Sequence, residues 1–256
     1  MKNNNDNNAR VVLVTGGTKG IGLGISQAYL ENGDKVVVCA RKEPEALPQV
    51  GDNVAHFIAA DLKVSEDIEQ LFAVIEAEYG RLDVLVNNAG GAPVADAATV
   101  SPRFHESIIK LNLISPLHVA QAANRLMQQQ ESGGSIVFIG SISAVRPSPG
   151  TAAYGAAKAG VLSLVQTLAV EWAPKVRVVA ISPGLIKTEL SHLHYGDEEG
   201  IKRVEQTIPL QRMGLPEDVA NACLYASSEQ ASYVSGSNII LHGGGEKPAF
   251  LGSNDN

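Results

Sequence analysis

The sequence predicts an α/β chain: a doubly wound parallel sheet of about seven strands with helices on both faces, in one domain over residues 1–256. Three observations predict it. Short β-branched runs alternate with longer amphipathic stretches from Arg10 to Gly245, the rhythm of repeated strand–helix units. The strand runs are apolar at nearly every position, as strands buried on both faces are. No linker, repeat or composition break divides the 256 residues, a length that supports one sizeable core.

The elements follow in order. "RVVLVT" (Arg10–Thr15) reads as the first strand, followed by a glycine turn and a helix through about Asn32. "DKVVVCA" and "VAHFIAA" are the second and third strands. A helix then starts at Ser65, a suitable N-cap, and stops at Gly80. "LDVLVNNAG" is the fourth strand, and one long helix is expected from Arg103 to Gln130. "GSIVFIGS" is the fifth strand, a helix runs from about Ala152 to Ala173, and "VRVVAISPG" and "SNIILHGGG" are the sixth and seventh strands. The segment 187–215 is more polar and interrupts the rhythm. It reads as an insert after a strand's C-terminal end, where such folds keep loops that cover a ligand. Residues 1–9 and 247–256 read as flexible ends.

Composition narrows the function classes. The hydrophobic fraction is 45% and the charged fraction 18%, which argues against disorder. A net charge of −7 argues against nucleic acid or an anionic membrane as partner. The Asn-rich start lacks the apolar core of a signal peptide. No apolar run reaches the ~18 residues that a spanning helix needs, so a cytoplasmic protein is expected. Cys39 and Cys223 show no metal or redox spacing and read as buried, reduced thiols.

Two stretches carry chemistry. In "VTGGTKGIGLG", Gly16, Gly20 and Gly22 follow the first strand and open the first helix. Glycines there let the backbone approach a pyrophosphate, and the helix N-terminus supplies N–H groups and a positive dipole end. A tight turn needing glycine only for its dihedrals is the plainer alternative. At the end of the second strand, where NAD binders place an acid for the ribose hydroxyl, stand Ala40 and Arg41. Glu43 comes later than that contact requires. Arg41 with Lys19 offers two cations for a 2′-phosphate, so NADP(H) is favoured over NAD(H). The second stretch, "AAYGAAK", sets Tyr154 and Lys158 four apart on a helix, hence on one face. An ammonium beside a phenol favours the phenolate and lowers its pKa toward the range useful for proton transfer. A solvated surface pair is the alternative.

With "TGGTKGIG" (Thr15–Gly22), "NNAG" (Asn87–Gly90), "YGAAK" (Tyr154–Lys158) and "PG" (Pro183–Gly184) in this order, the chain resembles the short-chain dehydrogenase/reductase family over about Arg10–Gly245. The resemblance implies a Rossmann-type fold and a catalytic group of Asn112, Ser141, Tyr154 and Lys158, with Ser143 a second candidate for the serine. It implies that Lys158 also bonds the nicotinamide ribose, that Ser141 donates to the substrate oxygen, and that Asn112 holds a water for proton return. For the cofactor it implies Gly16, Thr18, Lys19, Gly20, Ile21 and Gly22 at the phosphates. Asp61 with Leu62 falls at the adenine, and Asn88, Ala89 and Gly90 support the pocket. Pro183, Gly184, Ile186 and Thr188 fall at the nicotinamide amide. No metal is implied. His242 stands where the family commonly has Asp, and Ala157 where Ser is frequent. His192, His194 and Tyr195 read as ordinary lid residues.

The activity implied is hydride transfer between NADP(H) and a ketone or secondary alcohol, with a 3-oxoacyl thioester or a small hydrophobic carbonyl as substrate. The small residues Ala153, Ala156, Ala157 and Gly160 allow close helix contact, and in the family the two long helices build dimers and tetramers, so a homotetramer is expected. Two other classes compete. One is a non-catalytic nucleotide-binding protein, which would be free to lose Ser141, Tyr154 or Lys158. The other is an S-adenosylmethionine-dependent methyltransferase, against which Arg41 speaks.

Overall fold

The apolar runs pair side by side. A computed structural model describes residues 9–189, 191 and 196–246. In it β1 (Val11–Thr15), β2 (Lys35–Ala40), β5 (His56–Ala59), β6 (Val84–Asn87), β7 (Gly134–Ile139), β8 (Val176–Pro183) and β9 (Asn238–Leu241) form one seven-stranded sheet. The spatial order is β5-β2-β1-β6-β7-β8-β9, and every pairing is parallel. The chain winds outward in one direction from β1 and in the other from β6. The C-terminal ends of these two strands therefore meet at the switch point where open α/β sheets bind ligands. A short antiparallel hairpin, β3 (Gln49–Val50) with β4 (Asn53–Val54), lies outside the sheet and was not foreseen from the sequence.

Alternate side chains of each strand serve opposite faces. Val12 and Val14 join Val38, Val86, Val137 and Val179 under α1 (Gly20–Glu31) and α7 (Pro216–Ala226), with Ile25, Tyr29, Val219 and Cys223. Leu13, Val37, Leu85, Ile136, Phe138 and Val178 pack on the other face against α2 (Ser65–Tyr79), α4 (Ser115–Met127) and α5 (Ala152–Glu171). The insert carries α6 (Glu198–Thr207) and a small cluster of its own, Ile201, Ile208 and Met213. Cys39 and Cys223 are buried, unpaired thiols in opposite clusters.

Two local expectations need correction. α2 begins at Ser65 itself, with extended Val64 as N-cap and no side-chain cap bond. The first turn instead carries Glu66 and Asp67, whose charge suits the helix's positive end. Gly80 does end the helix, in the left-handed conformation. The single helix expected from Arg103 to Gln130 is broken into α3 (Pro102–Ile109), a π-helical turn Lys110–Ile114, and α4. Pro116 is the physical cause we identify. It has no N–H for the Asn112 carbonyl, and its ring would strike that carbonyl in a regular helix. The chain widens by one residue, and Ser115 N–H bonds the Lys110 carbonyl. Such bulges frequently mark functional positions.

Candidate active site

The glycine turn is stitched to the turn after β6. Thr15 ends β1 and is fully buried. Its hydroxyl accepts from the N–H groups of Asn88 (3.0 Å) and Ala89 (2.9 Å). In return Asn88 Nδ2 donates to the carbonyls of Thr15 (2.9 Å) and Gly16 (3.3 Å). The approach is so close that a Cβ on Gly22 would stand 2.2 Å from the Gly16 oxygen and 2.6 Å from Asn88 Nδ2. Glycine is therefore required at this point by space, whatever its dihedrals. Asn88 is committed to the scaffold, and the N-terminus of α1 is held over the end of β6.

The next link runs to the π-helical turn. Asn112, fully buried, accepts from Gly91 N–H (3.1 Å) and donates to the carbonyls of Gly91 (3.0 Å) and Ile108 (3.0 Å). Gly90 lies between this amide and Lys158. A Cβ there would be 2.7 Å from Asn112 Oδ1 and 3.7 Å from Lys158 Nζ. Lys158 is only 4% exposed. Its Nζ donates to the Ile139 carbonyl at the end of β7 (2.7 Å) and lies 5.6 Å from the centre of the Tyr154 ring. Ser141, also buried, accepts from Ser143 N–H (3.1 Å) and stands beside the Tyr154 phenol, whose charged form it favours. Ser143 turns its hydroxyl to Ser148 (3.1 Å) instead. Ser148 in turn accepts from Thr151 (2.8 Å), just before α5. The geometry thus brings Asn112, Ser141, Tyr154 and Lys158 to the switch-point end of β6 and β7, with Ser141 and not Ser143 at the phenol.

The electrostatics differ from the expectation in one respect. Burial pushes the Tyr154 phenol above its ordinary pKa, and the neighbouring Ser141 hydroxyl pulls only partly against it. Lys158 does not lower the phenol here. Its own ammonium is penalised by burial and its pKa falls from 10.5 to about 8. Two ionisable groups with displaced pKa values share one small volume, a pattern found at acid–base sites.

The other positions expected at a nucleotide are spread around the same strand ends. Lys19 and Arg41 are exposed, Arg41 directly after β2, and Arg41 makes no ion pair among the described residues. Thr18 is half-buried, and Ile21 packs on the α1–α7 side of the sheet. The Asp61 carboxylate accepts from Lys63 N–H (3.0 Å), while buried Leu62 has its side chain in the core and leaves only its backbone for a ligand. Pro183 ends β8, and Gly184 N–H donates to the Leu241 carbonyl (2.8 Å). Ile186 bridges to Gly214, and Thr188 N–H donates to Ser191 Oγ (2.8 Å). His192, His194 and Tyr195 lie outside the described residues.

Sequence reasoning missed Thr15 and Glu189. Thr15 left one signal, a polar residue closing an apolar strand just before a glycine. Glu189 left none, since its partner, Gly20 N–H at 3.1 Å, is 169 positions away.

Comparison with known proteins adds the following. A family model described as enoyl-(acyl carrier protein) reductase matches residues 16–246. The chain is 34% identical over 246 residues to dehydrogenase/reductase SDR family member 4 of Homo sapiens, covering 92% of this chain and 87% of that protein. It is 34% identical over 238 residues to the NAD-dependent glycerol dehydrogenase of Listeria innocua, covering 92% and 93%. Its fold matches the ligand-free aldohexose dehydrogenase of Thermoplasma acidophilum with a TM-score of 0.85 at 29% identity, covering 92% and 93%.

Proposed function

The chain belongs to the short-chain dehydrogenase/reductase family of NAD(P)-dependent oxidoreductases, and from that premise we propose that it transfers a hydride between NADP(H) and a ketone or secondary alcohol, with Tyr154 as the acid/base. The observation that carries this reading is the meeting of Ser141, Tyr154, Lys158 and Asn112 around Gly90 at the switch point.

The residues present fit a dinucleotide. The turn from Gly16 to Gly22 is so closely folded that only glycine fits at Gly22, and it leads into the N-terminus of a 12-residue helix, which favours an anion. Gly16, Thr18, Lys19, Gly20, Ile21 and Gly22 would hold the phosphates, and Asp61 with the Leu62 backbone the adenine. Asn88, Ala89 and Gly90 would wall the pocket, with Pro183, Gly184, Ile186 and Thr188 at the nicotinamide. When bound, the nicotinamide supplies or takes up the hydride.

The chain's own residues handle the proton and the developing charge. Burial keeps the Tyr154 phenol protonated at neutral pH, so it is set to give a proton to a carbonyl oxygen. Ser141 stands beside the phenol as a donor to the same oxygen, where charge accumulates in the transition state. Lys158, with a pKa of about 8 and its Nζ 5.6 Å from the centre of the Tyr154 ring, is set to return a proton to the site afterwards. The Asn112 side chain is already engaged with Gly91 and Ile108. Its part is to hold the Gly90–Gly91 turn against Lys158, and its carbonyl, to which Pro116 has no N–H to offer, would hold a proton-return water.

Position supports a reading of cofactor, substrate and assembly. Arg41 and Lys19 flank the place a 2′-phosphate would take, and no acid ends β2, which supports NADP(H) over NAD(H). Exposed Val94, Val145 and Leu210 stand on three loops at the same end of the sheet, supporting a hydrophobic carbonyl as substrate. α5 is long and apolar enough to cross a membrane by length and composition, with only 33% of its apolar window buried. Its uncovered flank of Ala152, Ala156, Ala159, Ser163 and Val170 suits a second copy, in support of a homotetramer. A groove lined by Ile68, His118, Arg125 and Trp172 lies on the neighbouring α2–α4 face and contains none of the site residues.

The test is a titration with NADPH and NADH followed by nicotinamide fluorescence. Tight NADPH binding with weaker NADH binding is the result expected. Preference for NADH overturns the cofactor reading alone, and binding of neither overturns the oxidoreductase reading.

A further inference from the structure

A carboxylate of the chain itself lies where the cofactor's phosphates are expected. α1 starts at Gly20 behind an extended Lys19 that makes no side-chain cap bond, and its first turn has no acidic residue. Three other helices are provided for locally. Ser101 caps α3, Asp197 caps α6, and Asp218 accepts from Leu215 N–H at the start of α7. For α1 the Gly20 N–H instead donates to Glu189 Oε1 at 3.1 Å. Glu189 is presented by a tight turn. Thr188 N–H donates to the hydroxyl of buried Ser191 (2.8 Å), and Ser191 N–H donates back to the Thr188 carbonyl (3.1 Å). The base of that turn is pinned by Lys187 N–H on the Gly214 carbonyl (2.8 Å).

We propose that Glu189 is a built-in competitor for the cofactor: its carboxylate occupies the N-terminus of α1 in the nucleotide-free protein and is displaced when the pyrophosphate arrives. This rests on the oxidoreductase reading above. Two anions at one helix end repel each other, so the helix end accommodates one or the other. Nucleotide binding and release of the Glu189–Gly20 contact are then a single event. By linkage, whatever this contact contributes to the nucleotide-free protein is subtracted from nucleotide affinity. The pyrophosphate is common to NADPH and NADH, so the effect falls equally on both, unlike that of Arg41. On the way out, Glu189 retakes Gly20 as the spent nucleotide leaves.

Glu189→Gln keeps the size and an acceptor oxygen and removes the charge. The dissociation constants of NADPH and NADH are measured by fluorescence titration for wild type and variant. Exchange of the Gly20 amide hydrogen is followed in the nucleotide-free protein. The expected result is binding about two- to fivefold tighter for both nucleotides, the range set by single charges at helix ends, with faster Gly20 exchange. Unchanged or weaker binding, tightening for NADPH alone, or unaltered Gly20 exchange overturns the inference while leaving the oxidoreductase reading in place. A wild type that binds neither nucleotide overturns both.

Discussion

Lys158→Met will stabilise the nucleotide-free protein at neutral pH while abolishing turnover. The lysine is buried and its pKa falls from 10.5 to about 8 because burial disfavours the ammonium. At 1.36 kcal/mol per pKa unit, holding the charge inside costs about 3 kcal/mol at pH 7. Methionine fills the same space but leaves the Ile139 carbonyl without its donor, a loss of about 1–3 kcal/mol. The net gain is up to about 2 kcal/mol, or up to about 4–8 °C in Tm for a chain of this size. The sign changes with pH. The folded pKa lies below the unfolded one, so below about pH 8 both states hold the proton and the full cost is present. Between about 8 and 10.5 the unfolded chain binds a proton that the folded one has released, and wild-type stability from this group rises with pH. The variant lacks that rise, so its advantage shrinks and reverses at the alkaline end. Thermal melts of both proteins at a series of pH values read the difference directly. A variant that is less stable at pH 7, or a difference that does not change with pH, refutes the reasoning.

Two further substitutions probe the cofactor side. Arg41→Asp will lower the ratio of kcat/KM for NADPH over NADH by about 10- to 100-fold, the worth of one charge-assisted phosphate contact, as measured by steady-state kinetics with both nucleotides. Gly22→Ala will force a Cβ to within 2.2 Å of the Gly16 oxygen. It will cost about 1–3 kcal/mol of stability and weaken binding of both nucleotides, seen in urea unfolding and fluorescence titration.

What the sequence revealed and what it hid divide along physical lines. Period and composition are local, and they were enough for the strands. "VVLVT" and "KVVVCA" are apolar on both faces because both faces are covered. Tyr154 and Lys158 could be paired from their four-residue spacing alone, whereas Asn112 and Ser141 could be named only through the resemblance to the short-chain dehydrogenase/reductase family. The break in the 103–130 helix was also written in the chain, as Pro116, but apolar periodicity continued through it and outweighed one residue. Long-range effects left no local mark. The contact of Glu189 with Gly20, the commitment of Asn112 to Gly91, and the burial that raises the Tyr154 phenol all depend on segments meeting in space. The four-residue spacing of Tyr154 and Lys158 gave the neighbours correctly but not the balance between charge attraction and burial, which depends on how much of the protein surrounds them.

The most direct measurement of the central claim is NADPH consumption by wild type and Tyr154→Phe against a panel of hydrophobic ketones, with NADPH affinity measured alongside. The account predicts turnover by the wild type on at least one ketone. It predicts a loss of about 10²- to 10⁴-fold in the variant, the usual contribution of a positioned acid, with NADPH still bound. A variant that reduces the same ketone at close to the wild-type rate contradicts it.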